Sequence, residues 1–224
     1  MRGAAGLNST GASHFPAVLS ADEIARLQAI ADRVIADKPG ARLHGEPAIV
    51  AMAEATGPLG RIASKALKRN ARPVRAVLFD KTAHNNWVVP WHQDRTIAVR
   101  ARVEALGYGP WSSKAGTCHV EPPFDLTARM ITLRAHLDDC DEENAPLLYV
   151  PGSHALGKLP VNGIAELARK QGHAVSLAKA GDVWAYATAI VHGSEAARKP
   201  SRRRVLQIDY SADELPPGLA WAGI

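Results

Sequence analysis

The chain has 224 residues, 46% of them hydrophobic and 22% charged, with a net charge of +5. This length and composition supply one buried core and exclude wholesale disorder. No run is long and apolar enough to cross a membrane, and the basic residues are dispersed rather than striped as in a nucleic-acid binder.

A single domain over residues 1–224 is therefore expected. Cys118 and Cys140 make neither a metal-ligand spacing nor a disulfide framework. The first ten residues hold no apolar signal core. Both observations fit a protein of the reducing cytoplasm.

Residues 1–19 are rich in Gly, Ala and Ser and are expected to be loosely ordered. Ser20-Ala21-Asp22-Glu23 reads as a capping box. Ile24, Leu27, Ile30, Ala31 and Val34 then recur at helical spacing, which predicts a helix to about Asp37, closed by Pro39-Gly40. Pro58 to Arg69 is a second, basic amphipathic helix with Leu59, Ile62, Ala63 and Leu67 on its apolar face.

From Val74 the texture changes to short strands. These are predicted at Val74–Phe79, Trp87–Trp91, Thr96–Val99, Met130–Leu137, Leu147–Val150, Ala174–Leu177, Asp182–Ala187 and Val205–Tyr210. A short helix interrupts at Gly163–Gln171. Residues 95–123 are rich in Arg, Gly, Pro and aromatics and read as a lid or insertion. Many short strands after early helices point to a mainly β fold, a sandwich or jelly roll with helices buttressing one sheet from outside.

Four separated polar residues carry the chemistry: His92, Asp94, His192 and Arg203. Positions i and i+2 of a strand face the same way, so His92 and Asp94 can reach one metal. Two imidazoles and a carboxylate hold a redox-active iron and leave its other positions open. A guanidinium at Arg203 would grip a carboxylate cosubstrate in a bidentate pair. Arg203, Val205, Gln207 and Asp209 share one strand face, and Arg202 and Arg204 share the other. A register shift of one would hand the role to Arg202 or Arg204. The run from Arg198 to Arg204 reads as a solvated loop or as an anion-binding segment.

Trp91-His92-Gln93-Asp94, the stretch Leu147-Leu148-Tyr149-Val150-Pro151-Gly152-Ser153-His154 and the His192 to Arg203 spacing resemble the phytanoyl-CoA dioxygenase-like family of Fe(II)/2-oxoglutarate oxygenases. The likeness covers residues 75–211. It implies a double-stranded β-helix, cupin-like, with iron on His92, Asp94 and His192. It implies the far carboxylate of 2-oxoglutarate on Arg203, with Ser194 as helper. Two departures stand out. Asn144-Ala145 replaces the usual Asn-Gly, and Arg134 stands where members often place a pocket tryptophan. Thr132, Arg134 and His136 alternate onto one face, which makes Arg134 and Thr132 cosubstrate-contact expectations, with Asn86 beside them. Trp87, Arg95, Tyr108 and Trp111 are expected at the substrate. His154 is read as part of a turn.

The reaction implied is hydroxylation of a small organic substrate by dioxygen, with 2-oxoglutarate released as succinate and CO2, and the arginines expected around the mouth favour an anionic substrate. Asp94 favours hydroxylation over halogenation, which needs that position vacated for chloride. The alternative is a non-catalytic metal- or ligand-binding module that keeps the fold. Neither a nucleic-acid nor a membrane partner is expected.

Overall fold

The computed structural model describes residues 7, 9–35 and 38–224. In chain order its strands are β1 (Ala12–Phe15), β2 (Gly40–Leu43), β3 (Arg72–Lys81), β4 (Val89–His92), β5 (Ile97–Val99), β6 (Trp111–Lys114), β7 (Thr117–Val120), β8 (Ile131–His136), β9 (Leu147–Tyr149), β10 (Ala174–Ser176), β11 (Val183–Ala187), β12 (His192–Ser194) and β13 (Arg203–Ser211). The helices are α1 (Ala21–Ile35), α2 (Pro47–Ala53), α3 (Pro58–Leu67), α4 (Phe124–Ala128) and α5 (Ile164–Gln171).

A six-stranded sheet runs β1-β11-β8-β13-β3-β2, and a four-stranded sheet runs β10-β9-β12-β4. Their pairings are antiparallel. Four central strands of the first sheet against the four of the second make the double-stranded β-helix, and β1 and β2 extend the larger sheet at its edges. The outer face of that sheet carries Ala76, Leu78, Leu133, Ala135, Leu206 and Ile208. It packs on Leu27, Ile30 and Ala31 of α1 and on Leu59 and Ala63 of α3. Each fully buried Leu or Ile in this layer contributes about 1.5–3 kcal/mol. The helices therefore shut one face of the sheet, and the other face is left to build a site.

The predicted helix from Ser20 is present, and its capping box closes as read. Ser20 N–H donates to Glu23 Oε2 at 2.8 Å, and Glu23 N–H to Ser20 Oγ at 3.3 Å. The predicted end at Asp37 lies outside the described residues. One expectation needs correction, and two gain detail. Residues 12–15, expected to be loose, form strand β1 because they pair with β11 along a free sheet edge. The segment read as a lid or insertion has secondary structure of its own. It contains a three-stranded sheet, β5-β7-β6, with its own core of Ile97, Val99, Val120, Leu219 and Trp221. The basic run begins exposed to solvent, at Arg198 and Lys199, and its side chains are ion-paired. Arg198 and Lys199 pair with Glu143, Arg202 with Asp80 and Asp32, and Arg204 with Asp138 and Asp32.

Candidate metal and cosubstrate site

β12 lies between β9 and β4, so His192 is cross-strand partner to His92. The two rings approach to 4.3 Å between centroids. Asp94, two residues past His92, completes the group, with Oδ1 3.9 Å from His92 Nε2. One potential ligand atom from each of the three residues lies within 4.8 Å of the others. Gln93, between them, points the opposite way and clamps the carbonyls of Gly157 and Ala189. That alternation fixes which side chains face the cavity.

The histidines are prepared as ligands by their own backbone. His92 Nδ1 lies 2.8 Å from the carbonyl of Pro90, and His192 Nδ1 lies 3.0 Å from that of Ile190. A carbonyl can only accept, so Nδ1 carries the proton and the Nε2 lone pair is free. Burial, then the neighbouring His92 imidazole, pushes the His192 pKa down to about 4. His192 is thus neutral at neutral pH. For Asp94, burial alone would raise the pKa. Attraction to His192 when that ring carries a proton, then to Arg75, His92 and Lys114, opposes it and holds the carboxyl below its usual range. Two neutral imidazole nitrogens and an ionised carboxylate fit a divalent first-row metal.

The Pro-Gly-Ser-His element serves this site at one remove. Ser153 Oγ donates to the Val150 carbonyl at 2.7 Å and accepts from Val191 N–H at 2.8 Å, immediately before His192. His154 lies beside Gly11, away from the triad.

Beside the triad, the inner face of the large sheet is lined by side chains from three strands. Register puts Gln207 across from Arg134 and Asp209 across from Thr132. Arg203 falls on this inner face, while Arg204 turns outward to Asp138. The parity left open by the sequence is resolved in favour of Arg203. Its guanidinium is 4% exposed, and Nε and Nη1 have no hydrogen-bond partner among the described residues. Burial, then the charge of Arg134, pushes its pKa down to about 10. Arg134 donates to Gln207 Oε1 at 2.9 Å. Lys81 Nζ lies 3.3 Å from Ser194 Oγ and 2.9 Å from the Glu195 carbonyl. Burial and these two arginines bring its pKa down to about 8. Lys81, Arg134 and Arg203 are three buried cations with no carboxylate partner among the described residues. Unpaired buried charge is costly, so an anion entering this floor would be stabilised there.

Other expected residues fall elsewhere. Thr132 is buried in a network, bonded to Thr188 and donating to Asp209. Asp209 in turn ion-pairs with Arg75 at 2.6 Å. Ser194 donates to the Ala145 carbonyl as well as meeting Lys81. Asn86 is a correction. Its amide donates to the Ala197 carbonyl and accepts from Ala197 N–H, so it braces that loop. Trp87 lies under the Lys81 ammonium at 5.1 Å. Arg95 is spent on the Leu159 carbonyl. Tyr108 and Trp111 pack against the core of the lid sheet. Trp111 is register partner to Val120, so it faces away from His119 and its neighbours.

Sequence reasoning missed Lys81, Arg75, Arg42, Lys114 and His119. Lys81 and Arg75 occupy the inner face of β3, as Arg203 and Asp209 do on β13. The pairing Arg203 to Lys81 and Asp209 to Arg75 is the signal that a register assignment would have exposed.

A profile of the phytanoyl-CoA dioxygenase (PhyH) family matches residues 7–205. A comparison with the curated proteins finds no match. Among solved structures, EctD from S. alaskensis in its apoform superimposes with a TM-score of 0.70 at 21% identity, covering 93% of this chain and 75% of that one. AviO1 from Streptomyces viridochromogenes Tue57 gives 0.67 at 23% identity, covering 95% of each. The non-heme α-ketoglutarate-dependent epimerase SnoN from nogalamycin biosynthesis gives 0.68 at 20% identity, covering 97% of this chain and 89% of that one. At such identities the likeness establishes a shared fold.

Proposed function

This chain belongs to the phytanoyl-CoA dioxygenase family of Fe(II)/2-oxoglutarate oxygenases, and from that premise we propose that it hydroxylates a small, anionic organic substrate. His92, Asp94 and His192 would hold the metal through two Nε2 atoms and a carboxylate oxygen. Bound there, iron supplies dioxygen activation coupled to the oxidative decarboxylation of 2-oxoglutarate to succinate and CO2. Arg203 receives the far carboxylate of the diacid, flanked by Arg134 and Lys81. Asp209 holds Arg75 away from that carboxylate, and Thr132 orients Asp209.

The observation that carries this reading is the pairing of a metal-competent triad with a buried guanidinium that has two unsatisfied nitrogens. Neither feature stabilises the fold, since unpaired charge opposes burial. Both gain a partner when a metal and a diacid enter. The intact carboxylate at Asp94 supports hydroxylation. The same fold carries other outcomes, as SnoN, an epimerase, illustrates.

The test is succinate formation from 2-oxoglutarate with Fe(II), ascorbate and dioxygen, without prime substrate. Slow turnover that requires metal is expected. Metal binding with no turnover at all would favour a non-catalytic binding module. Once a substrate is found, label from dioxygen in the product separates hydroxylation from epimerisation.

A further inference from the structure

The floor beside the triad carries the cations Lys81, Arg134 and Arg203. A second polar set, two cations and one imidazole, comes from elements outside the eight central strands, and we take it as the mouth of the site. Arg42 is on β2, the added edge strand, where it is register partner to Val77 and so shares the inner face with Arg75. Lys114 and His119 are on the lid sheet. The register Ser112 to His119 and Lys114 to Thr117 puts Lys114 and His119 on one face, opposite the lid core.

Two of the three keep a buried nitrogen without a partner among the described residues, and the third, Lys114, is exposed. Arg42 Nε is buried without a hydrogen-bond partner, and Arg42 has no ion pair among the described residues. Lys114 donates to the Thr96 hydroxyl at 3.3 Å and has no ion pair among the described residues. His119 is 0% exposed. Its Nδ1 is committed to the Thr117 carbonyl at 3.0 Å, and Nε2 has no partner. The groups are within electrostatic reach of one another. His119 feels Lys114, Arg75 and Arg42, and Lys114 feels Arg75, Asp94 and Arg42. Arg75 is already neutralised by Asp209. Burial, then these cations, lowers the His119 pKa and keeps it neutral. With Nδ1 donating, Nε2 is an acceptor and not a second donor.

A diacid cosubstrate leaves this mouth unsatisfied, because its far carboxylate goes to the floor. We infer that the mouth is the recognition site for the prime substrate, with Arg42 and Lys114 binding a carboxylate or phosphate and His119 Nε2 accepting from a hydroxyl or amino group of the same molecule. The substrate class is thus a small organic acid or phosphate ester with a hydrogen-bond donor close to its anionic group. Lys114 also lies within reach of Asp94, so the anchored molecule has its remaining carbons at the triad. The inference rests on the reading above for the location of the reacting atom, but its binding step does not.

Isothermal titration calorimetry with glycolate, acetate and inorganic phosphate tests it. One arm uses protein loaded anaerobically with Fe(II) and 2-oxoglutarate, and a second uses metal-free protein. Saturable binding is expected in the loaded arm, with glycolate preferred to acetate. Arg42→Gln and Lys114→Gln should each weaken all three by about tenfold, the loss of one charge-assisted contact. His119→Phe should erase the preference for glycolate while leaving acetate unchanged. Lys114 is solvent-exposed, so its variant keeps the fold. Absent saturable binding, or affinities unchanged in Arg42→Gln and Lys114→Gln, would overturn the inference. Anion binding with this pattern in the metal-free arm, beside a protein that takes up neither iron nor 2-oxoglutarate, would overturn the proposed function and leave the mouth site standing.

Discussion

Three single residues set the site's properties. His192 is neutral because burial and then the adjacent His92 oppose its charge, and it is aimed because the Ile190 carbonyl holds its Nδ1 proton. Asp94 is ionised because the cations and imidazoles around it outweigh its burial. Asp94→Ala removes the one anionic ligand, and we expect Fe(II) affinity to fall by at least about 100-fold, with loss of succinate formation, as read by metal titration and turnover. Arg203→Ala should leave Fe(II) binding intact and raise the 2-oxoglutarate requirement by at least about 30-fold, or ~2 kcal/mol for a buried charge-assisted pair. An unchanged requirement would move that role to Arg134 or Lys81. Ala145 shows a different residue effect. Its backbone is left-handed at φ 53, where a Cβ is disfavoured. Ala145→Gly is expected to stabilise the protein by about 1 kcal/mol, seen as a raised urea midpoint.

At the level of elements, the sequence was most readable where periodicity is long. The helix from Ser20 and the strands Ile131–His136 and Arg203–Ser211 stand where their alternation puts them. β12 was missed because His192-Gly193-Ser194 is too short to alternate. β2 was missed because Gly40 reads as a helix terminator, although it also opens an edge strand. The lid sheet was hidden by its turn-rich composition, so Tyr108 and Trp111 read as pocket residues, whereas in the structure they pack against its core. The grouping of His92, Asp94 and His192 was legible because their residue types are distinctive. The cations Lys81, Arg42 and Lys114 were not, since an isolated Lys or Arg looks like surface until register places it. Ser153 ties two such elements together. Ser153→Ala should cost about 1–3 kcal/mol by stranding the buried Val191 N–H. It should also weaken metal binding more than a distant cap variant of equal cost. Ser20→Ala, expected to cost about 1 kcal/mol at the start of α1, is that control.

Over the whole molecule, the fold accepts buried charge on one side of a sheet because helices satisfy the other side with apolar packing. This sets a pH dependence. His192 protonates at about 4, and His136 is held well below its ordinary value by burial and by Arg134 and Arg203. In the unfolded chain both take a proton near pH 6.5. Between those values the unfolded state binds more protons, so stability is full above about pH 6.5 and falls as pH drops toward 4. Urea midpoints of metal-free protein should follow that slope, and His136→Leu should make it shallower. The central claim is that one cavity holds a metal on His92, Asp94 and His192 and a diacid on Arg203. A crystal structure of the protein loaded with Fe(II) and 2-oxoglutarate tests it most directly. The account predicts an anomalous iron peak among those three side chains and the far carboxylate against Arg203. Iron elsewhere, or that carboxylate lying instead on Arg42 and Lys114, would contradict it.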